Sequence, residues 1–332
     1  RPSFIPCSIK PEHFNNSKRT LYMKKMISLA IAAALTSGAV NAAPSIYGAI
    51  NTGVNSQSSS STDTMALGSY SSKVGVKGEE QINEGLAGIY KVEMGLDVSG
   101  DSSTITTYNT IVGLRGKAGT VYVGRNDTPY KQAGSSDIFA NTAADSQHST
   151  SGVIGRSGWD KRENNIIGYV SPKIKGVVIS AATSLDESVN DSNFKTTSMA
   201  ATYTSDAFKA AAAYEINHNG TSDNTSAFKM TATVNEGNYT YGGTYESADR
   251  NGTEDVVALM GSLTYNLNED NKILAQYGTI DTPINDDLKS RLTVGLSHKL
   301  ASKTSIYGAW NNDDMGTLGD VSTITAGVSH SF

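Results

Sequence analysis

From Ser45 to the C-terminal Phe332 the chain repeats one pattern: runs of about 8 to 14 residues in which apolar and polar side chains alternate. Val74 and Val76 oppose Lys73, Gly75, Lys77 and Glu79. Phe228, Met230, Ala232 and Val234 oppose Lys229, Thr231, Thr233 and Asn235. Leu292, Val294 and Leu296 oppose Arg291, Thr293, Ser297 and Lys299. A period of two is that of a β-strand, which then has one greasy face and one wet face. Sixteen such runs are predicted: 45–57, 72–82, 85–98, 109–117, 119–127, 164–172, 176–185, 195–206, 208–219, 225–236, 239–249, 255–268, 271–281, 288–300, 303–313 and 323–332. No convincing amphipathic helix interrupts them.

An open sheet of this size would leave long edges, and closure removes them. Tight turns are predicted at Lys117-Ala118-Gly119, Ser205-Asp206-Ala207 and Asn268-Glu269-Asp270-Asn271. Other connections read as long, polar loops, such as 57–71 and 313–322. Short turns alternating with long loops fit a membrane barrel with its turns on one side and its loops on the other. A soluble β-sandwich alternates as well, but buries the apolar face. Three features together favour the barrel: an export signal, no cysteine beyond it, and an even strand count that ends on an aromatic. The fold expected is therefore all-β, a transmembrane 16-stranded antiparallel β-barrel wide enough for an aqueous channel.

The export signal is Met23-Lys24-Lys25, the short apolar run Ile27 to Leu35, and small residues leading to Ala42. This pattern predicts a signal peptide over 23–42, with Met23 as the start, 1–22 as an upstream, non-native translated segment and 43–332 as one domain. The sole cysteine, Cys7, lies in that first segment, so the barrel owes nothing to disulfides. No run reaches the ~20 apolar residues of a transmembrane helix, and mean hydropathy is −0.31. The whole chain has 27 Lys and Arg against 32 Asp and Glu; residues 1–42 hold six of these bases and one acid, which leaves −10 for the remainder. Nucleic acid, which needs a basic face, is an unsuitable partner.

The connection from Thr128 to Glu163 is too long for a simple loop, and loops of this length are usually functional or disordered. It holds Asp137, Asp145, Arg156, Lys161 and Arg162 among Ser, Gly and Ala. Gly124-Arg125-Asn126 leading into it, Lys73-Val74-Gly75-Val76-Lys77-Gly78-Glu79-Glu80-Gln81-Ile82 in the second run, and the terminal Phe332 resemble the general-diffusion porins of Gram-negative outer membranes, in their enterobacterial form. The resemblance runs from residue 43 to the end. It implies a long third loop folded into the lumen, a homotrimer, contact with outer-membrane lipid and lipopolysaccharide, and passage of ions and small hydrophilic solutes without a cofactor.

Residue by residue, the resemblance puts Asp137 at an acidic constriction position. Asn141 stands where a second acid is often found, and Asp145 lies a few residues on. Lys73 and Arg156 fall at wall cations, and Tyr108 replaces an Arg near the start of the fourth strand. Arg115 and Lys91 face inward by alternation. Phe332 corresponds to a C-terminal recognition signal for outer-membrane assembly. Acids on one side of a narrow wet passage and bases on the other set a transverse field that the ~8 Å Debye length leaves largely intact. The net charge and the loop acids lead to an expected mild cation preference.

Other chemistries are poorly supplied. There is no Gly-x-Ser-x-Gly motif, and His148, His218, His298 and His330 stand apart from one another. No spacing suggests zinc. The acidic stretches 186–193 and 313–320 lack the EF-hand order of ligands. A sugar-specific channel would need more inward rings than Tyr108 and Tyr122, and a structural or adhesin barrel would hardly conduct.

Overall fold

A computed structural model describes residues 43–332 except 61, 102–104, 147–158, 187–193, 219–223, 250–254, 282–289, 315 and 317–318. The segments expected at 1–22 and 23–42, and Arg156, lie outside the described residues. The strands are β1 (Ser45–Ser59), β2 (Asp63–Ser69), β3 (Lys73–Asn83), β4 (Leu86–Gly95), β5 (Thr106–Gly116), β6 (Gly119–Asp127), β7 (Arg162–Val170), β8 (Val177–Leu185) and β9 (Phe194–Thr204). They continue with β10 (Phe208–Asn217), β11 (Thr225–Glu236), β12 (Tyr239–Ala248), β13 (Val256–Asn266), β14 (Asn271–Asp281), β15 (Ser290–Ala301), β16 (Thr304–Asp314) and β17 (Asp320–Ser331). The one α-helix among the described residues, α1, spans Pro129–Gln132.

From β3 onward each strand pairs antiparallel with the next, and β17 pairs back onto β1 from Ala49↔Ser331 to Ser59↔Val321. The sheet is thus a closed antiparallel barrel. Seventeen strands make sixteen staves, because β1 pairs with β2 through residues 52–58 and with β3 through residues 45–49. The break between β2 and β3 falls at Ser71, whose φ of 53° is left-handed. Buried Ser72 repairs the ladder there: its Oγ accepts from Asn51 N–H at 2.9 Å and donates to Asn51 O at 3.0 Å.

Two connections are shorter than their composition suggests. The stretch 57–71, expected as a long loop, is mostly strand: β1 runs to Ser59, β2 starts at Asp63, and Ser59 N–H donates to Thr62 O. Its Ser and Thr residues cross-link the hairpin, as in Ser58 Oγ to Asp63 Oδ1 at 2.6 Å. Likewise β16 and β17 extend to an Asp314↔Asp320 pair, and Gly316 and Gly319 take positive φ in the link. Polar strand ends project beyond an apolar belt without penalty, so polarity there marks the belt's edge and not the strand's.

The outward face is apolar. Met199, Met230, Leu292 and Val294 are each at least 40% exposed, while their neighbours along the strands are small or polar. This is the inverse of a sandwich core and suits a hydrocarbon surround. Rings gather beside the short turns: Tyr239 stacks on Tyr265 with centroids 4.8 Å apart, and Tyr203 meets Phe208 at 6.1 Å. Such a girdle places amphipathic rings at a membrane interface.

Phe332 belongs to this girdle. Its N–H donates to Gly48 O at 3.1 Å, and Gly48 N–H returns a bond to Phe332 O at 3.2 Å. The ring lies over Gly48, and a Cβ at that position would overlap it. The last residue thus completes the closing pair. Each such bond is worth about 0.5–1.5 kcal/mol net in water, and more where no water can replace it. Deleting Phe332 or introducing Gly48→Leu should therefore lower the fraction of compact, heat-modifiable barrel seen by electrophoresis after refolding, and Phe332→Tyr should not.

Candidate functional site

The stretch between β6 and β7 starts with a cap. Thr128 Oγ1 accepts from Lys131 N–H at 3.3 Å, Pro129 takes the first helical position, and α1 makes one turn. Tyr130 is fully buried. It packs with Ala133 and Trp159 on Ala200 of β9, Ala211 and Ala213 of β10, Ala227 of β11 and Ala248 of β12. These alanines occupy positions where a wet wall would carry long polar side chains, and their small size makes the room for the ring. Tyr130 N–H donates to Ser198 Oγ at 2.9 Å and its Oη to Glu246 Oε1 at 2.5 Å. Lys229, fully buried, reaches Asp160 Oδ1 at 2.5 Å and lies 4.2 Å from the Tyr130 ring centroid. Burial and the Glu246 and Asp160 carboxylates raise the Tyr130 phenol well above its ordinary pKa.

A second aromatic anchor follows. Phe139 is buried against Ala144, Leu274 of β14 and Ala309 of β16. Gly295 of β15 leaves the space for its ring, since a Cβ there would come within 2.7 Å of Phe139 Cε1. Between and beyond the anchors the backbone is tied to strand side chains. Ser136 N–H donates to Thr244 Oγ1 at 2.7 Å, Ile138 N–H to Gln276 Oε1 at 3.1 Å, and Ala143 N–H to Tyr307 Oη at 3.2 Å. Arg291, ion-paired to Asp313, donates from Nη1 to Asp145 O at 3.3 Å.

With the segment held against β9–β16, a cleft of about 590 Å³ opens between it and β1, β3, β5, β6 and β7. Asp127, Asp137, Asp145 and Asp160 line it, facing Lys73, Lys131 and Arg162. Asp127 pairs with Arg162 at 3.0 Å, and that guanidinium lies 4.3 Å from the Tyr108 ring centroid. Lys73 pairs with Glu93 at 3.2 Å, and Lys91 reaches the same carboxylate at 3.7 Å. Asp137 accepts from Phe139 N–H at 2.8 Å and from Ser146 N–H and Oγ at 2.9 and 2.5 Å. Asp145 accepts from Asn141 N–H at 2.6 Å, and Asn141 itself has a φ of 61°. Burial, with Asp145 close by, raises the Asp137 carboxyl above the usual carboxylate range. Burial lowers the Lys161 ammonium.

Of the residues singled out from sequence, Asp137, Asp145 and Lys73 meet at this cleft. Lys91 stands one ion pair behind it. Arg115 lies elsewhere: it sits beside the turn at 117–118 and binds Glu79 Oε2 at 2.5 Å. Alternation gives the face of a residue but not its height, which is why Arg115 could not be excluded from its position in the strand. Asp127, Lys131, Asp160 and Arg162 were missed as cleft residues. Their signal was present for Asp127 and Arg162, which bound the long connection at strand ends, and for Lys131 in its first turn, while Asp160 lies two residues before β7.

If the two rings anchor the segment, Tyr130→Ala and Phe139→Ala should each cost about 3 kcal/mol of local stability. Amide exchange over 128–146 should then accelerate by roughly a hundredfold, while the strands keep their protection. Equal exchange in variant and parent would show that the rings do not hold it.

The matching family model is that of the Gram-negative porin, over residues 28–317. The major outer membrane protein P.IB of Neisseria gonorrhoeae is 32% identical over 164 residues, which cover 46% of this chain and 45% of that protein. The chain thus spans about half the length of the curated relatives it matches. In fold it is similar to the anion-selective porin from Comamonas acidovorans, with a TM-score of 0.73 at 19% identity, covering 87% of this chain and 99% of that one. The trimer form of OmpT from Vibrio cholerae aligns with a TM-score of 0.65 at 18% identity, over 87% and 99% of the two chains. The chain belongs to the Gram-negative porin family and is an outer-membrane barrel.

Proposed function

We propose that this porin is a water-filled channel for passive diffusion of ions and small hydrophilic solutes, with a mild cation preference. The carrying observation is the charged cleft beside the segment after β6. In this reading the segment lies across the lumen as the third loop and narrows it, and solutes pass between the loop and the wall of β1 to β7. The alanine-lined seat of Tyr130 and the strand side chains of Ser198, Thr244, Gln276, Tyr307 and Arg291, which bond the segment's backbone, support that placement. A homotrimer is the assembly proposed, by analogy with the trimer form of OmpT. Family membership is consistent with transport and not catalysis.

The charges at the cleft largely cancel in pairs. Arg162 offsets Asp127, Lys229 offsets Asp160, and Lys73 with Lys91 shares Glu93. Asp137, Asp145, Lys131 and the surplus charge of that lysine pair complete the set, so the cleft itself comes close to balance, and buried Glu215 and Glu246 behind it supply the small acidic excess that favours cations. Among the described residues Tyr108 alone brings a ring to the cleft, and Tyr122 is packed away with Ile166 and Ala182. That gives no aromatic track of the kind a sugar-specific channel needs.

In a planar bilayer the folded protein should conduct in ohmic steps, with a reversal potential favouring cations, and absence of steps would end the channel reading. Acidification should weaken the preference. A raised carboxyl pKa means that Asp137 takes up its proton, as pH falls, before an ordinary aspartate near pH 3.9 does. The same proton stabilises the segment while removing its charge, because the folded form then binds it more tightly than the unfolded chain. Asp137→Asn should lower the preference at neutral pH and flatten the change above pH 4. An unchanged reversal potential in that variant would remove Asp137 from the constriction while leaving the barrel intact.

A further inference from the structure

Four lysines outside the cleft have no role in the reading above. Lys77 of β3, Lys209 of β10, Lys272 of β14 and Lys299 of β15 stand on the short-turn half of the barrel. All four face inside. Lys209 alternates with buried Ala211 and Ala213, Lys272 with buried Leu274 and Gln276, and Lys299 with buried Thr293 and Arg291. Lys77 Nζ lies 5.0 Å from the ring centroid of Tyr47. Each of the four is exposed, and among the described residues none is ion-paired. Arg115 joins them at this level and is the cation that Glu79 neutralises. The turns below nearly balance, with five acids against four bases counting Glu236.

Among the described residues the opposite end carries exposed acids. Asp63, Asp101, Asp255, Asp281 and Asp320 are exposed at strand ends or in connections on that side. We propose that the four lysines form a second charge station, an anion-gathering mouth at the short-turn end, and that the pore is polarised along its axis as well as across its constriction. Its ligands are small solutes bearing a carboxylate or phosphate. The inference rests on the channel reading.

The consequence is asymmetric conduction. With the loop side positive, cations held at the acidic end and anions held at the lysine end are both driven into the pore, and conductance rises. With the polarity reversed, both are drawn out, and conductance falls. Charge stations of this kind act only while their fields reach across the lumen. The Debye length is about 30 Å at 0.01 M salt and about 3 Å at 1 M.

The test is the current–voltage curve of single channels in a planar bilayer. Orientation is read from a thiol reagent added to one side of a chain carrying Cys7→Ser and Ser302→Cys, since Cys7 is the one cysteine of the sequence. The current at loop-side-positive voltage should exceed that at the opposite voltage about twofold in 0.01 M salt, and the ratio should approach one in 1 M salt. The combined substitution Lys77→Gln, Lys209→Gln, Lys272→Gln and Lys299→Gln should bring the low-salt ratio to about one. The single substitutions should give graded falls, which decides the matter even if the combined variant does not fold. Symmetric curves at low salt, asymmetry of the opposite sense, or asymmetry indifferent to the lysines would each overturn the proposal. A folded protein that does not conduct at all would instead overturn the channel reading beneath it.

Discussion

Inside a hydrocarbon layer no water is available to an unpaired N–H or C=O, so a sheet there must close on itself. Every other feature of this chain follows from that requirement. The first strand has to find the last, and the register Ala49↔Ser331 to Ser59↔Val321 is the seam. The chain end cannot fray at the seam, and Phe332 completes it with two backbone bonds and a ring over Gly48. Where the ladder fails between β2 and β3, the hydroxyl of Ser72 takes the place of the missing backbone groups. Side chains on the outer face can then be chosen for lipid alone, and those on the inner face are free for water, charge and the segment after β6.

The inner face divides into two regimes. On β9 to β16 it is built to receive the segment: alanines beneath Tyr130, a glycine beneath Phe139, and single polar atoms aimed at backbone N–H groups. On β1 to β7 it is built to stay open, with Lys73, Tyr108 and Arg162 across from the segment. The two depend on each other. Each amide bonded to the far wall fixes how wide the cleft is at the near wall, so in the proposed channel the anchors set the passage without touching it.

Strands were legible in the sequence because alternation is local and every stave obeys it. β11 and β14 run over the residues expected, 225–236 and 271–281. The hairpin at 57–71 was hidden because Ser and Thr mark a loop in water, yet here they ladder across a strand pair beyond the apolar belt. Asp137 and Lys73 could be found because they belong to motifs. The alanine seat could not, since its five residues come from four strands and only closure brings them together. Arg115 shows the same limit from the other side. Its inward direction was readable from its neighbours, but its height along the pore depends on the register of the whole barrel.

The cleft also shows how much charge a structural role consumes. Asp137 accepts three hydrogen bonds from Phe139 and Ser146, and Asp145 holds Asn141 in its left-handed turn while its carbonyl takes Arg291. Both acids therefore shape the loop with the same carboxylates that line the cleft. A change that removes their charge also loosens the loop unless the hydrogen-bond geometry is kept, which is why an amide is the informative replacement and alanine is not. The lysines near the short turns carry no such double duty. Their ammonium groups are exposed and unpaired among the described residues, so their charge is free to act on ions, and removing it should cost the barrel little. In the proposed channel, selectivity across the constriction is therefore coupled to the fold of the segment, whereas the proposed polarity along the axis is set by residues that the fold can spare.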